Sequence, residues 1–597
     1  MELNEKNKPR KENGKKDEEK TRSKSKEVGG VKAVPFILAT EVCDRFSTVG
    51  FHANQISYLT QELQLPLVKA SNIISNFDGT ASLATMAGAL IADSFAGRYW
   101  TIVISGIIYE LGLISFTSSA AIKSLHPQPC QNLVNCKEAS GFQLLILYLC
   151  LLLICIGLGG IRPCVLSFAA DQIGMDKASV ESRSWNFFSW YYFSLGVARL
   201  LALTIVVYIQ DNISWSWGLA IPTIATGLSF IVFIGATPLY KKVKPGGSPL
   251  TRLAQVVVSA FRKRKAVVPE DPGLLYQNKD LDAAISVNGR LLHTEQFRWL
   301  DKAAITKGNE ETNRQNLWKL ATLHRVEELK SFIRILPIWF SGVIFVSATT
   351  HQASFLIQQC RTMDRHLTPS FQIPPASFAV FSILTMLAGV ALYDRVFVRI
   401  ARRYTGNPAG ITCLQRIGIG LVISILGTIV GALIEIKRKS VAAHYNLLDS
   451  PKAIIPMSGF WLVPRYCLFG LTEVFRTVGT LEFLYDQSPE SMRSIAIGLY
   501  WVANSIGNYL GVLVVTIVHK YSGHRTNWLP DRNLNRGKLD YYYFLVAGIQ
   551  VANFLYYLIC ARNYTSKRVE EVGKKDEEID DDAPRNGMVE NGKSEPV

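Results

Sequence analysis

Apolar runs of roughly 20 residues recur along the chain, each long enough to cross the hydrocarbon core of a bilayer as a helix. The first, Pro35 to Leu63, is followed by runs near 70–92, 99–120, 142–168, 186–209 and 217–238. A polar stretch from Lys241 to Lys330 separates these from a second set near 332–357, 374–397, 414–435, 457–484, 495–518 and 540–561. The expected fold is therefore an all-α membrane protein, with twelve transmembrane helices in two six-helix bundles.

Composition enters where soluble alternatives are weighed. The 597 residues are 48% hydrophobic and only 19% charged, too apolar for a soluble enzyme of this length. The net charge of +16 would suggest nucleic acid on a soluble domain. Here the basic residues gather in the first thirty-odd positions, the middle loop and the tail, and positive-inside placement accounts for them. An even number of spans puts both termini on one side, which the Lys and Arg bias makes cytosolic. The layout expected is a disordered tail over 1–32, a six-helix bundle over 33–240, a basic cytosolic linker over 241–330, a second bundle over 331–563 and a disordered tail over 564–597. The ten cysteines show no zinc-ligand spacing; Cys130 and Cys136 share a polar loop and can form a disulfide if that loop faces outward. Two bundles of this kind can rock around a site at the bilayer midplane.

Inside the first run sits Glu41-Val42-Cys43-Asp44-Arg45. On a helix, positions i, i+3 and i+4 share a face, which gathers Glu41, Asp44 and Arg45 on one side. Each charge near a bilayer midplane costs about 2.5 to 3.5 kcal/mol on insertion scales, and Arg45 offsets part of this for its neighbours. Two readings meet that cost: a proton-linked carboxylate pair in a transport pathway, or an ion pair that is structural or sits at the membrane edge. No phosphate loop, acyltransferase-type pair or metal cluster falls inside the runs, so no enzyme is indicated. No cofactor or metal is expected, only protons as coupling ion. The expected partners are a small-molecule substrate and the lipid bilayer, not nucleic acid.

Leu250 to Lys265, LTRLAQVVVSAFRKRK, has an apolar helical face closing in a basic cluster. Such a helix lies on an anionic leaflet or ties two halves together. Arg98 precedes Thr101 by three residues, a basophilic kinase pattern that makes Thr101 a candidate phosphorylation site.

Several stretches carry a family resemblance: Glu41-x-x-Asp44-Arg45, ADSFAGRYWT with Asp93, Gly97 and Arg98, Gly159-Gly160-Ile161-Arg162-Pro163-Cys164, WNFFSWYYF from Trp185, and LEFLYDQSPESMRS from Leu481. Together they resemble the plant nitrate and peptide transporter family, part of the proton-coupled oligopeptide transporters within the major facilitator superfamily. The resemblance covers about residues 30 to 565. It implies a proton-coupled symporter in which Glu41, Asp44 and Arg45 handle the proton, and in which Arg162 and Glu473 work with them at the substrate. Asp93, Gly97 and Arg98 match the superfamily's structural loop. The family's first-helix motif ends in Glu where this chain has Asp44, one methylene shorter.

The departures bear on substrate. Peptide carriers of the family follow the motif with paired tyrosines, where this chain has Thr48-Val49, which argues against peptides. The nitrate-selective branch carries a histidine where Thr349 stands, and His351 lies two residues on. Thr349, His351, Arg476 and Trp501 join the candidate substrate contacts. Asp78, Arg199, Arg465 and Arg476 are unusual charges for the family. Arg476 is placed one turn from Glu473 and can pair with it, as Asp78 can neutralise Arg199. Trp185, Tyr191, Tyr192, Trp339, Tyr500 and Trp501 line a pocket or pack helices together. Nitrate, nitrite and a gibberellin-like carboxylate hormone lead as substrates. A sensor on a transporter scaffold, or a carrier of glucosides or peptides, is the alternative. The plasma membrane is the family default, with vacuolar and plastid membranes as other options.

Overall fold

The computed structural model describes residues 33–128, 137–173, 193–242, 249–282, 285, 290–306, 316–406, 410–451, 453–489, 492–523, 527–567 and 569–570. The first half contributes α1 (Val34–His52), α2 (Leu67–Ile91), α3 (Arg98–Ala121), α4 (Gly141–Ile173), α5 (Phe193–Asn212) and α6 (Trp215–Gly235). The second contributes α7 (Leu323–Thr349), α8 (Pro375–Thr405) and α9 (Cys413–His444). It continues with α10, built of Val463–Thr472, Glu473–Thr477 and Val478–Gln487, then α11 (Arg493–Gly523) and α12 (Leu539–Arg562). Among the described residues, nine helices are long and apolar enough to cross a membrane; α1, α2 and α10 fall outside that set. Charge explains α1 and α10, which hold Glu41, Asp44, Arg45, Arg465, Glu473 and Arg476, while small polar residues dilute α2.

Two compact units emerge. One gathers the described parts of Met1–Ser248, Pro337–Tyr485 and Ala496–Asn563; the other gathers those of Pro249–Leu336, Asp486–Ile495 and Tyr564–Val597. In the first, aromatic side chains fill the interior of the first six helices, with Phe51 edge-on to Phe116 at 4.8 Å. On α3, Ile104, Ile107, Leu111 and Ile114 recur at helical spacing and stay exposed. Such a stripe fits acyl chains rather than water.

Glycines let α2 and α4 cross closely. Pro163 sits inside α4 and has no N–H for the carbonyl of Gly159 four residues earlier. That carbonyl lies against Gly88 of α2, where an added Cβ would stand 2.2 Å from the oxygen. Small residues here let two backbones meet. Gly159 and Gly160 thus turn toward Ala84 and Ser105. Hydrogen bonds also join the halves: Asn72 Nδ2 donates to Thr516 Oγ1 at 3.2 Å, Thr80 meets Tyr509 at 2.8 Å, and Ser377 Oγ donates to the Leu203 carbonyl at 2.6 Å.

In the second unit, the amphipathic helix Pro249–Arg262 turns Leu253, Val256 and Ala260 into a core with Leu300, Ala303 and Val326. Most of its apolar face is therefore covered by its own unit, leaving Val257 and Phe261 exposed. Lys330, fully buried, reaches Asp301 Oδ1 at 2.7 Å and Glu327 Oε1 at 2.9 Å, and Arg334 Nη2 lies 3.2 Å from Glu327 Oε2. The described start of the C-terminal tail joins this unit: Val569–Glu570 pairs antiparallel with Arg290–Leu291, and Tyr564 donates to Gln487 Oε1 at 3.1 Å. Cys130, Cys136, Trp185, Tyr191 and Tyr192 lie outside the described residues.

Candidate functional site

Between the two halves of the first unit lies a cavity of about 460 Å³, within the range of ligand pockets. Helix α1 borders it with Arg45, Thr48, Val49 and His52. Positions 41, 45, 48 and 52 follow helical spacing, so Glu41 continues the same stripe below Arg45. Glu41 is 2% exposed, and its Oε1 accepts from both Nε and Nη2 of Arg45 at 2.9 Å. Asp44 is buried one residue away. Its Oδ1 accepts from Thr48 at 3.5 Å, while Oδ2 has no hydrogen-bond partner among the described residues. Thr48 in turn meets the Tyr109 hydroxyl at 3.2 Å.

Arg162 enters the cavity from α4 just before Pro163. Its Nε is buried without a hydrogen-bond partner. Arg199 from α5 and Arg465 from α10 also line the space. Arg465 lies over the Tyr543 ring at 4.2 Å, donates from Nη2 to Gln352 at 3.2 Å and leaves Nη1 unpartnered. It fits because α9 carries Gly431 there, where a Cβ would be 2.5 Å from Nη1. Four arginines thus converge from both halves against one lining carboxylate, Asp78. Between them the walls are apolar, from Ile74, Phe77, Leu203, Leu356, Ile383 and Phe469.

Some expectations need correction. Asp78 does not neutralise Arg199: it pairs with His52, whose Nε2 lies 3.0 Å from Oδ1. Glu473 and Arg476 do not form an ion pair among the described residues. They lie in the π-helical segment Glu473–Thr477, where i→i+5 bonding swings i+3 off the face of i. Arg476 instead stacks over Phe345 at 3.9 Å and borders a separate small space with Trp339. Glu473 is half-buried and is not a lining residue. His351 is buried outside the cavity, with Nε2 3.0 Å from Asn72 Oδ1 and 3.3 Å from Ser75 Oγ across the halves. Thr349 does line the cavity, but its hydroxyl donates to the Phe345 carbonyl at 3.0 Å. Trp339 donates to the Leu499 carbonyl, and Tyr500 and Trp501 pack edge-on, so these aromatics serve packing.

The loop motif forms at the end of α2. Arg98 Nη1 reaches Asp171 at 2.6 Å, Asp93 lies 3.8 Å from Nη2, and Gly97 takes φ +73° and ψ 156°, a turn suited to glycine. Thr101 is buried with its hydroxyl on the Gly97 carbonyl at 2.9 Å, so this conformation does not present it to a kinase. His52 was missed from the sequence, although the 41, 45, 48, 52 spacing is the signal that finds it.

A POT family model matches residues 99–529. The protein is 53% identical over 549 residues to Protein NRT1/PTR FAMILY 3.1 of Arabidopsis thaliana, covering 91% of this chain and 92% of that one. The chain belongs to the POT family. This transporter is also 40% identical to Protein NRT1/PTR FAMILY 8.3 of Arabidopsis thaliana, over 90% of this chain and 92% of the relative. In fold it resembles an auto-inhibited POT family peptide transporter seen by crystallography, with a TM-score of 0.66 and 22% identity over 90% of this chain and 98% of that one. The POT transporter is a multi-pass membrane protein of a proton-dependent family, not an enzyme.

Proposed function

We propose that this POT transporter is a proton-coupled symporter of a small organic anion, a carboxylate on an apolar body of the gibberellin kind, moved by alternating access of its two halves. The observation that carries this reading is the convergence of Arg45, Arg162, Arg199 and Arg465 on one apolar-walled cavity. Guanidinium groups match a carboxylate with paired donors, and the apolar walls suit a hydrophobic body better than a bare inorganic ion. Thr349, whose hydroxyl is committed to its own helix, offers nitrate no cationic contact. Glu41 and Asp44 take and release the coupling proton. Protonation of Glu41 removes its charge and weakens its hold on Arg45, whose guanidinium then turns toward the substrate anion, so that proton and solute load together. The plasma membrane is the proposed location, as the family default.

The test is uptake into proteoliposomes under an imposed pH gradient, using gibberellic acid, its methyl ester, nitrate, nitrite, a dipeptide and a neutral glucoside. Accumulation of the acid but not the ester supports the proposal. Equal uptake of the ester, accumulation of nitrate or nitrite alone, or binding without accumulation refutes it, the last favouring a sensor.

A further inference from the structure

The cavity holds an acid–base pair that the scheme above leaves unused. His52 ends the polar stripe of α1, and its Nε2 lies 3.0 and 3.1 Å from the two carboxylate oxygens of Asp78 on α2. Both residues line the cavity, with side chains 37% and 38% exposed, so a proton can reach them through the same space as the substrate. Phe77 stands beside the imidazole, 6.2 Å between ring centres. From α4, Arg162 lines the same cavity and the Cys155 thiol donates to the carbonyl of Phe77, next to Asp78, at 3.5 Å, while Arg45 of α1 and Arg199 of α5 also line the cavity. Histidine is the side chain whose ordinary titration range spans physiological pH.

We propose that His52 and Asp78 form a second proton-binding site, and that its occupancy sets the affinity for the anion. This rests on the anion-symport reading. With His52 neutral, Nε2–H donates to Asp78, whose full negative charge competes with the substrate for Arg162. A proton from water adds to Nδ1, forming only an N–H bond, and the couple becomes an imidazolium–carboxylate pair with no net charge. Arg162 is then left to the substrate. The linkage is reciprocal, so the anion holds the proton by the factor with which the proton holds the anion. Glu41 lies eleven positions earlier on α1, about 16 Å along the axis, far enough for the two sites to load separately. With two protons per monoanion, each cycle moves one net positive charge.

The experiment compares wild type with His52→Gln and Asp78→Asn in the full chain. In nanodiscs with 13C-labelled histidine, the resonance missing from His52→Gln should change protonation state between about pH 5 and 8. A His52 resonance that holds one state across that range overturns the proposal, whatever the substrate. In proteoliposomes supplied with gibberellic acid, wild-type KM should fall about tenfold from pH 7.5 to 5.5 in the regime of a single titrating site. Asp78→Asn should hold the low KM at both pH values, and His52→Gln the high one, each moving one charge fewer per anion. Both variants losing affinity alike with the wild-type pH profile kept would show a structural pair and overturn the proposal. Wild type accumulating no gibberellic acid would refute the substrate reading alone, and the resonance arm would still decide the proton site.

Discussion

Replacing Glu41 by Gln isolates the first proton. Glutamine keeps the oxygen that accepts from Arg45 Nε and Nη2 at 2.9 Å but cannot carry charge. Hydrogen bonds to a charged group contribute about 1.5–3 kcal/mol against about 0.5–1.5 for neutral ones, so the exchange should lower stability by about 1 kcal/mol. Arg45 is 20% exposed and lines the cavity, so water tempers the change in its surroundings and the variant should fold. Accumulation is where the effect is large. One pH unit supplies about 1.36 kcal/mol per proton, a factor of ten in the equilibrium solute ratio. Losing one coupled proton should therefore lower the steady-state plateau about tenfold at a gradient of one unit, with the membrane potential clamped. Counterflow at equal pH should persist, because exchange of loaded carriers needs no net proton movement. The assay is radiolabelled uptake to plateau in proteoliposomes, with thermal melting as the control for folding. A variant reaching the wild-type plateau would refute the assignment of Glu41.

Arg465→Gln removes a charge-assisted contact worth about 1.5–3 kcal/mol, so the KM for a carboxylate substrate should rise at least tenfold; an unchanged KM in uptake kinetics takes Arg465 out of the site. Gly88→Ala would force a methyl to within 2.2 Å of the Gly159 carbonyl, a backbone atom with little freedom to move, and overpacking there should cost about 1–3 kcal/mol in thermal or denaturant unfolding. Lys330→Met leaves Asp301 with only His293 beside it and Glu327 with Arg334 alone, and breaking this buried group should cost about 3–5 kcal/mol, read from the melting of the full chain.

How much of this was legible in the residues depends on the range of the interaction. Helical period alone places Glu41 with Arg45, because that pair depends on near neighbours; the Asp93, Gly97 and Arg98 loop was legible only as a family motif, and its partner Asp171 lies on another helix. The same local logic fails at Glu473 and Arg476: their i, i+3 spacing assumes an α-helix, and the segment is π-helical. It fails again for Asp78, whose partner is His52 on the adjacent helix rather than Arg199. Spacing within one helix cannot say which neighbour a cavity residue meets. The aromatic residues mislead for another reason, since a Trp such as Trp339 can satisfy its N–H on a carbonyl and pack as well as line a pocket.

The positive cavity joins both kinds of information. Arg45 and Arg162 sit within motifs, so their presence is readable; Arg199 and Arg465 stand outside any motif, and their meaning comes only from helices α5 and α10 placing them on the same space. Gly431 is what admits Arg465, since any side chain there would fill the volume of its guanidinium. A glycine on α9 thereby bears on the charge seen by a solute, although it never touches the cavity itself. On the anion-symport proposal, a Gly431→Ala exchange should therefore raise the KM for an anion as Arg465→Gln does, while leaving every cavity charge in the sequence.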